Sequence, residues 1–565
     1  MQRILFLQLP RLENDLDGEE ENLHLAAFYL SHALKKAHGD PGYTFRSLTH
    51  DEEMLDDAHL LDLIIRWAPD VVCATLYLWN IERTLHILHH LKTRIPHCLV
   101  VCGGPEVAPD HPFLFKRLIA DIVVMGEGEA ILSDILQALK EGYRTDYTHT
   151  AWKVDGTYQW GKNHTPVVGL KELLPPPEDP GWQPDSPQGM AYLETGRGCP
   201  MRCSYCRYSQ MRRRPVFSEP APILQSVKIL RARGVEQIRF IDPTLNANPS
   251  FDILLKGLKA LNSDHGVRFF AEVQADKLTT DQIIGLANAG FSELEAGVQS
   301  LNADVLGRIR RPVRVELLEG NIRFMTDQGI RVTIDLMYGL PGQGLDDVIH
   351  SLQWAERFKN AHVQCMQTLL LPGTELRETK DQWGIESDDR PPYGVRSTNT
   401  MTHGDIRTIE DFINQSQGSE GMARKFVGYR LLDLFEERVR VPIHARSKDK
   451  ILPGRSSRRA LIFQGSDLYS LRNGILDTLR QAMEEEPHIL WQFVLMPEYE
   501  EPLDLLETMI NEIRNHPIHW LDLFAHAACW DRIASRRVFV HLTKGRSYSA
   551  GWVRAAETLL EDHFY

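Results

Sequence analysis

At 565 residues the chain is too long for one small module and has room for about four domains at roughly 150 residues each. Lys and Arg total 63 against 77 Asp and Glu, a formal charge of −14, which argues against an overall electrostatic hold on nucleic acid or an anionic membrane. With 43% hydrophobic and 25% charged residues, and no apolar run near the roughly 20 residues that cross a bilayer, the composition is that of a globular cytoplasmic protein.

In chain order, strand patterns at Ile4–Gln8, Tyr43–Leu48, Asp70–Leu76, Cys98–Cys102 and Asp121–Met125 alternate with helical patterns near Leu23–Lys36, Asp57–Trp67, Ile81–Arg94 and Glu129–Leu139. This alternation predicts a doubly wound, Rossmann- or flavodoxin-like α/β domain over residues 1–145, with its ligand site beyond the carboxyl ends of the strands. Three polar or glycine-rich turns lie there, at Thr75–Asn80, Gly103-Gly104-Pro105-Glu106 and Gly126-Glu127-Gly128-Glu129.

A hairpin is expected at Trp152–Trp160 around Asp155-Gly156, and Leu173–Met190, with six prolines, reads as a linker, so that 146–190 joins two domains. Strands are then expected at Ala191–Thr195, Gln237–Asp242, Val267–Val273, Glu293–Ser300, Arg331–Gly339 and Val363–Leu371, the rhythm of βα units. Six units over 191–375 predict a partial (β/α)6 barrel with its chemistry at the strands' C-terminal ends. Residues 376–424 cap it, and a small α/β accessory domain is expected over 425–565, with strands at Ala460–Phe463, Ile489–Leu495, Trp520–Phe524 and Val538–Leu542.

Three of the eight cysteines stand in Cys199-Pro-Met-Arg-Cys203-Ser-Tyr-Cys206, just after the first barrel strand. Thiolates this close can take three corners of a cubane iron–sulfur cluster, and Gly196 and Gly198 let the backbone approach the sulfurs. A structural zinc site would need a fourth protein ligand, and no second Cys or His pair stands at suitable spacing. Three ligands leave one iron open to a small chelating ligand.

With that loop at that strand end, the chain resembles the radical S-adenosylmethionine enzymes over about Tyr192 to Thr374. The resemblance implies a [4Fe-4S] cluster on Cys199, Cys203 and Cys206, with S-adenosylmethionine on the open iron. It also implies Tyr205 beside adenine, Asp242 at the methionine amino group, and Glu272, Gln299 and Ser300 at the ribose and methionine portions. Arg310 and Arg311 would pair with the carboxylate. Asp335 and Gly339 close the fifth strand, where the family faces adenine.

The preceding doubly wound domain resembles that of the cobalamin-binding (B12) branch. Thr75, Tyr77, Asn80, Gly103, Gly104, Pro105, Glu106, Gly126, Glu127, Gly128 and Glu129 would form its cobalamin turns. Many B12 proteins carry Asp-x-His-x-x-Gly, whose histidine ligates cobalt. The nearest string, Asp57-Ala-His59-Leu-Leu-Asp62, lacks the glycine and falls in a helix, so no protein imidazole is expected on the metal.

The function implied is methylation of an unactivated carbon in a small-molecule or peptide substrate, with an external flavodoxin- or ferredoxin-type electron donor. The alternatives are radical rearrangement, ring formation or methylthio-type transfer, and a redox protein that carries both cofactors without radical catalysis. Basic runs at Arg212–Arg214 and Arg446–Arg459 read as solvated loops or anion contacts, Tyr393 as a residue of the barrel mouth, and Cys365 as either a radical-facing thiol or a core residue.

Overall fold

The computed structural model describes residues 2–12, 23–39, 42–117, 119–164, 189–208, 214–416, 426–435, 438–441, 456–523 and 535–564. The proline-rich run up to residue 188, most of both basic runs and Cys529 lie outside them.

The first sheet holds β1 (Gln2–Leu7), β2 (Tyr43–Ser47), β3 (Val71–Thr75), β4 (Leu99–Gly103), β5 (Ile122–Val124), β6 (Thr150–Val154) and β7 (Thr157–Trp160) in the order β2-β1-β3-β4-β5-β6-β7. β1 to β5 are parallel, and the hairpin β6–β7 extends the same sheet antiparallel from β5. Strands buried on both faces read as apolar runs, and each face has its own core. Helices Leu25–His38 and Glu129–Glu141 pack on Ile4, Phe6 and Val71, while helices Asp57–Trp67 and Ile81–Arg94 pack on Leu5, Val72 and Val100.

The second sheet is entirely parallel and open, in the order β15-β14-β13-β12-β11-β8. It comprises β8 (Met190–Leu193), β11 (Gln237–Phe240), β12 (Arg268–Val273), β13 (Phe291–Gln299), β14 (Arg331–Tyr338) and β15 (Ala361–Gln367). After β8, the short pair β9 (Gly196–Arg197) and β10 (Val216–Phe217) frames the cysteine loop. Cys365 packs with Ile334 and Leu336 in the core beneath the helices, so it is a core residue rather than a thiol facing the barrel interior.

Past a small antiparallel pair, β16 (Glu386–Ser387) with β17 (Val395–Ser397), a third sheet runs parallel in the order β18-β22-β21-β20-β19. Its strands are β18 (Val427–Gly428), β19 (Arg438–Val441), β20 (Arg458–Gly465), β21 (Leu490–Pro497) and β22 (Arg537–His541). The strand expected at Trp520–Phe524 is instead a 3-10 turn over Trp520–Leu523. His519 Nδ1 accepts the Leu521 N–H at 3.2 Å and its ring stacks on Trp520, which bends the chain where a strand would run on. No helix among the described residues is long and apolar enough to cross a membrane.

Candidate functional site

A cavity of about 300 Å3 opens beyond the carboxyl ends of β3, β4 and β5, where a doubly wound sheet binds its ligands. Thr75, Tyr77, Gly103, Gly104, Pro105, Gly126, Glu127, Gly128 and Glu129 line it, as the turn composition leads one to expect. Its opposite wall comes from the barrel: Glu194, Arg197, Gly198, Tyr208 and Ile241. The first sheet and the residues on either side of the three cysteines therefore share one chamber.

Two of the expected turn residues shape this wall without lining it. Asn80 is fully buried; its amide donates to the Leu9 and Thr75 carbonyls at 3.0 and 3.2 Å and accepts the Tyr77 N–H at 2.9 Å, locking the turn. Glu106 is also buried and accepts the Tyr393 hydroxyl at 2.7 Å beside His111 at 3.2 Å. Tyr393 is thus a joint between the first sheet and the segment after the barrel rather than part of the barrel mouth. Tyr77 stacks on Trp79 at 4.4 Å, and no histidine lines the cavity among the described residues.

Arg197 bridges the two walls. Its guanidinium donates bidentately to Glu194 at 2.8 Å and to Glu129 at 2.9 Å, with Glu127 at 3.7 Å. Neither these pairs nor Tyr29, which enters the cavity from the helix Leu25–His38, is marked by motif spacing.

In the loop, Cys203 is buried while Cys199 and Cys206 are half-buried, and none forms a disulfide. Cys206 N–H donates to Cys203 O at 3.2 Å, Ser204 N–H to Ile309 O at 3.1 Å, and Leu376 N–H to Ser204 O at 2.9 Å, so the turn carrying the thiols is tied to two later segments of the chain. Arg311 Nη1–H points at Cys203 Sγ from 3.6 Å while Nε–H and Nη2–H hold Gly297 O at 3.0 and 2.5 Å. The Cys199 thiol lies 3.7 Å from the Thr244 hydroxyl. Tyr205 lies between two apolar clusters, one with Ile309 and Leu340 and one with Leu370 and Leu376.

Strand alternation puts Glu295, Gly297 and Gln299 on one face of β13, and the β13–β14 register slips between Gly297 and Gln299. Gln299 adopts φ 68°, and its Oε1 is buried without a hydrogen-bond partner among the described residues, as is Asp335 Oδ1. Glu272, Glu295 and Asp335 form one carboxyl cluster. Burial, then the Glu295 charge, pushes Glu272 up to about 7; the same causes hold Asp335 well above the usual carboxylate range. Burial likewise raises Asp242 to about 8, although its oxygens accept the Thr195 N–H and hydroxyl at 3.0 Å each.

The remaining expected contacts divide. Gly339 closes β14 with φ 82° against Val395 and Thr368. Ser300 is fully buried and accepts the Asn302 N–H at 3.2 Å, capping a turn. Arg310 is exposed and paired with Glu375 at 2.6 Å, away from the thiols, whereas its neighbour Arg311 turns inward. Glu295 was missed, though its two-residue offset from Gly297 was the available signal.

The donor set fits both implied groups. Three unoxidised thiols on one tied loop suit an iron–sulfur cluster. The orphaned Gln299 and Asp335 oxygens, on the side of the sheet where Arg311 turns in, suit a ligand rich in donors. Glycines in the wall of the chamber leave room for a broad planar group.

The family model for the radical SAM superfamily matches residues 193–355, and that for the B12 binding domain matches residues 23–136. The cobalamin-dependent radical SAM methyltransferase TokK of Streptomyces tokunonensis is 25% identical over 357 residues, which span 58% of this chain and 51% of the relative. The hopanoid C-3 methylase of Methylococcus capsulatus is 24% identical over 52% of this chain and 59% of its own length. The chain thus spans about half the length of these curated relatives. Among solved structures, the cobalamin-dependent S-adenosylmethionine radical enzyme OxsB superposes with a TM-score of 0.57 at 15% identity, over 75% of this chain and 68% of that one. The radical S-adenosylmethionine methyltransferase TsrM from Kitasatospora setae superposes with a TM-score of 0.54 at 17% identity, over 70% and 78%. At such identity these superpositions bear on the fold.

Proposed function

We propose, for a chain that belongs to the cobalamin-binding radical S-adenosylmethionine enzymes, that it transfers a methyl group to an unactivated carbon of a small-molecule or peptide substrate. The observation that carries this reading is the shared chamber, with the B12-type turns on one wall and, on the other, Arg197, Gly198 and Tyr208, which flank the three cysteines in the chain. When bound, the cluster and S-adenosylmethionine supply a hydrogen-abstracting radical, and cobalamin supplies the methyl group. The hard chemistry belongs to the cofactors, and the protein positions and shields them.

In this reading Cys199, Cys203 and Cys206 hold the cluster, and Arg311 lays a fixed positive charge beside Cys203. Gln299, Asp335 and Glu272 receive the donors of S-adenosylmethionine; a carboxyl already protonated near neutral pH can donate as well as accept. Gly103, Gly104 and Gly126 would leave room for the corrin, and Tyr77 would give it an aromatic contact. The enzyme works in the cytoplasm with a flavodoxin- or ferredoxin-type electron donor, and residues 425–565 serve as an accessory domain.

The test is anaerobic turnover of the cluster-reconstituted, cobalamin-loaded protein on a metabolite extract, with S-adenosylmethionine deuterated in its methyl group. A carbon-bound labelled methyl in a new product, with 5′-deoxyadenosine released, is the expected result. Deoxyadenosine with unlabelled product would overturn methyl transfer in favour of rearrangement or ring closure. An intact cluster with no deoxyadenosine would make the protein a carrier of electrons.

A further inference from the structure

Outside the chamber lining, where the first and third sheets meet, three metal-ligating side chains converge from separate elements. Asp57 opens the helix Asp57–Trp67, His86 lies on the helix Ile81–Arg94, and His488 stands in the turn before β21. Asp57 Oδ2 is 3.0 Å from His488 Nδ1 and 3.9 Å from His86 Nε2, and all three ligand atoms lie within 4.8 Å of one another. Bonds of about 2.0–2.1 Å in a tetrahedral site would set ligand atoms about 3.3 Å apart, so the observed spacings bracket that geometry.

The surroundings favour ligation by one oxygen and two imidazoles. Arg83 Nε–H donates to Asp57 Oδ1 at 2.8 Å, which fixes the carboxylate and leaves Oδ2 facing the two rings. Two guanidinium groups stand here, Arg83 and Arg459, and the carboxylates of Asp56, Asp57 and Glu486 oppose them. Asp57 and His488 are nearly buried, at 7 and 11% exposure, while His86 at 29% keeps a route from solvent. His90, one helical turn beyond His86 with its ring 4.6 Å away, lies outside the set, so a water on the solvent side of His86 would take the fourth position.

We propose that Asp57, His86 and His488 bind a divalent transition-metal ion of the zinc class, which clasps the accessory domain to the first sheet. The same seam already carries backbone and ionic contacts: Ser457 N–H donates to Met54 O at 2.7 Å, and Arg459 pairs with Asp56 at 2.5 Å. A metal there adds a link that strengthens with its free concentration, since binding to the folded state alone stabilises that state.

The test uses the full chain with its cluster reconstituted, dialysed against buffered zinc, with zinc, iron and cobalt counted together. About one zinc per chain is expected, with a zinc X-ray absorption shell of nitrogen and oxygen near 2.0–2.1 Å. Loss of an outer-shell partner alone weakens metal binding by about 10–100-fold, so His86→Gln and His488→Gln should each lower zinc affinity by at least about 100-fold. His89→Gln, on the same helix outside the set, should retain the metal. A sulfur shell near 2.3 Å would place the zinc on the cysteine loop and overturn the proposal, as would absence of zinc or retention unchanged in both variants. Should His86→Gln fail to fold, His488→Gln and chelation of the wild type still decide the matter: chelation must lower the melting temperature of the wild type and leave that of His488→Gln unchanged.

Discussion

Three glycines in the wall of the chamber lack a side chain for different reasons, which alanine substitution separates. At Gly104 φ is +104°, and a Cβ would sit 2.6 Å from Leu76 O and 2.8 Å from Leu76 N. Leu76 N–H donates to Gly103 O at 2.8 Å, so that backbone cannot retreat without losing a bond. Left-handed backbone costs an L-residue roughly 1–2 kcal/mol and a lost buried hydrogen bond about 1–3, so Gly104→Ala should cost about 3–4 kcal/mol. At about 2–4 °C per kcal/mol for a domain of this size, its melting transition should fall by roughly 10 °C. Gly126 has φ +82° with nothing within 4 Å, leaving only the strain of about 1–2 kcal/mol. At Gly103 a Cβ would meet only Val124 O, at 3.7 Å, so Gly103→Ala should barely move the transition while its methyl group takes cavity space. The assay pairs calorimetry of the cofactor-free chain with cobalamin retention after gel filtration. Gly103→Ala should keep the melting temperature and lose cobalamin, and Gly104→Ala should lose both. A Gly104→Ala protein melting within a degree of the parent, or a Gly103→Ala protein that unfolds, would refute this division.

The carboxyl cluster predicts a pH dependence. Glu272 and Asp242 rise from ordinary values of 4.5 and 3.8 to about 7 and about 8, chiefly by burial. Stability from a raised group is complete below its unfolded pKa and is lost as pH climbs through the folded one. The cofactor-free chain should therefore melt lower at pH 8.5 than at pH 6, and Glu272→Gln should remove about 1 kcal/mol of that fall. A melting temperature that rises with pH, or a slope indifferent to Glu272→Gln, would count against the cluster. Tyr393→Phe leaves buried Glu106 without its 2.7 Å donor and should cost about 1–3 kcal/mol in denaturant unfolding. A cost under about 0.5 kcal/mol would mean that His111 alone satisfies the carboxylate.

β1, β3, β4 and β5 were legible because each is an apolar run largely buried on both faces, bounded by polar turns. β18 and β19 were not: one is two residues long, and the other alternates Arg and Val at a sheet edge, with no run to detect. Trp520–Phe524 illustrates the converse, a short apolar run that periodicity cannot tell from a buried turn. In the candidate site, the grouping of Cys199, Cys203 and Cys206 was readable because all three lie within one loop. Tyr29 was not, since a helix face toward a cavity has the same apolar stripe as one toward a core. The Arg197 bridge joins residues 68 apart, a separation that no local pattern encodes.

Arg207, the residue after Cys206, donates to Pro105 O, Val107 O and Gly373 O at 3.2, 2.7 and 3.2 Å. All three acceptors are main-chain carbonyls, so the contact depends on where the backbone runs and not on which side chains occupy those positions. Mutational tolerance across this boundary should therefore be lopsided. Replacements at Val107 that keep the turn leave the staple intact, whereas replacing Arg207 frees three carbonyls at once, two in the turn after β4 and one in the segment after β15. Drift in the turn after β4 is thereby buffered, while the cost of this contact falls on Arg207.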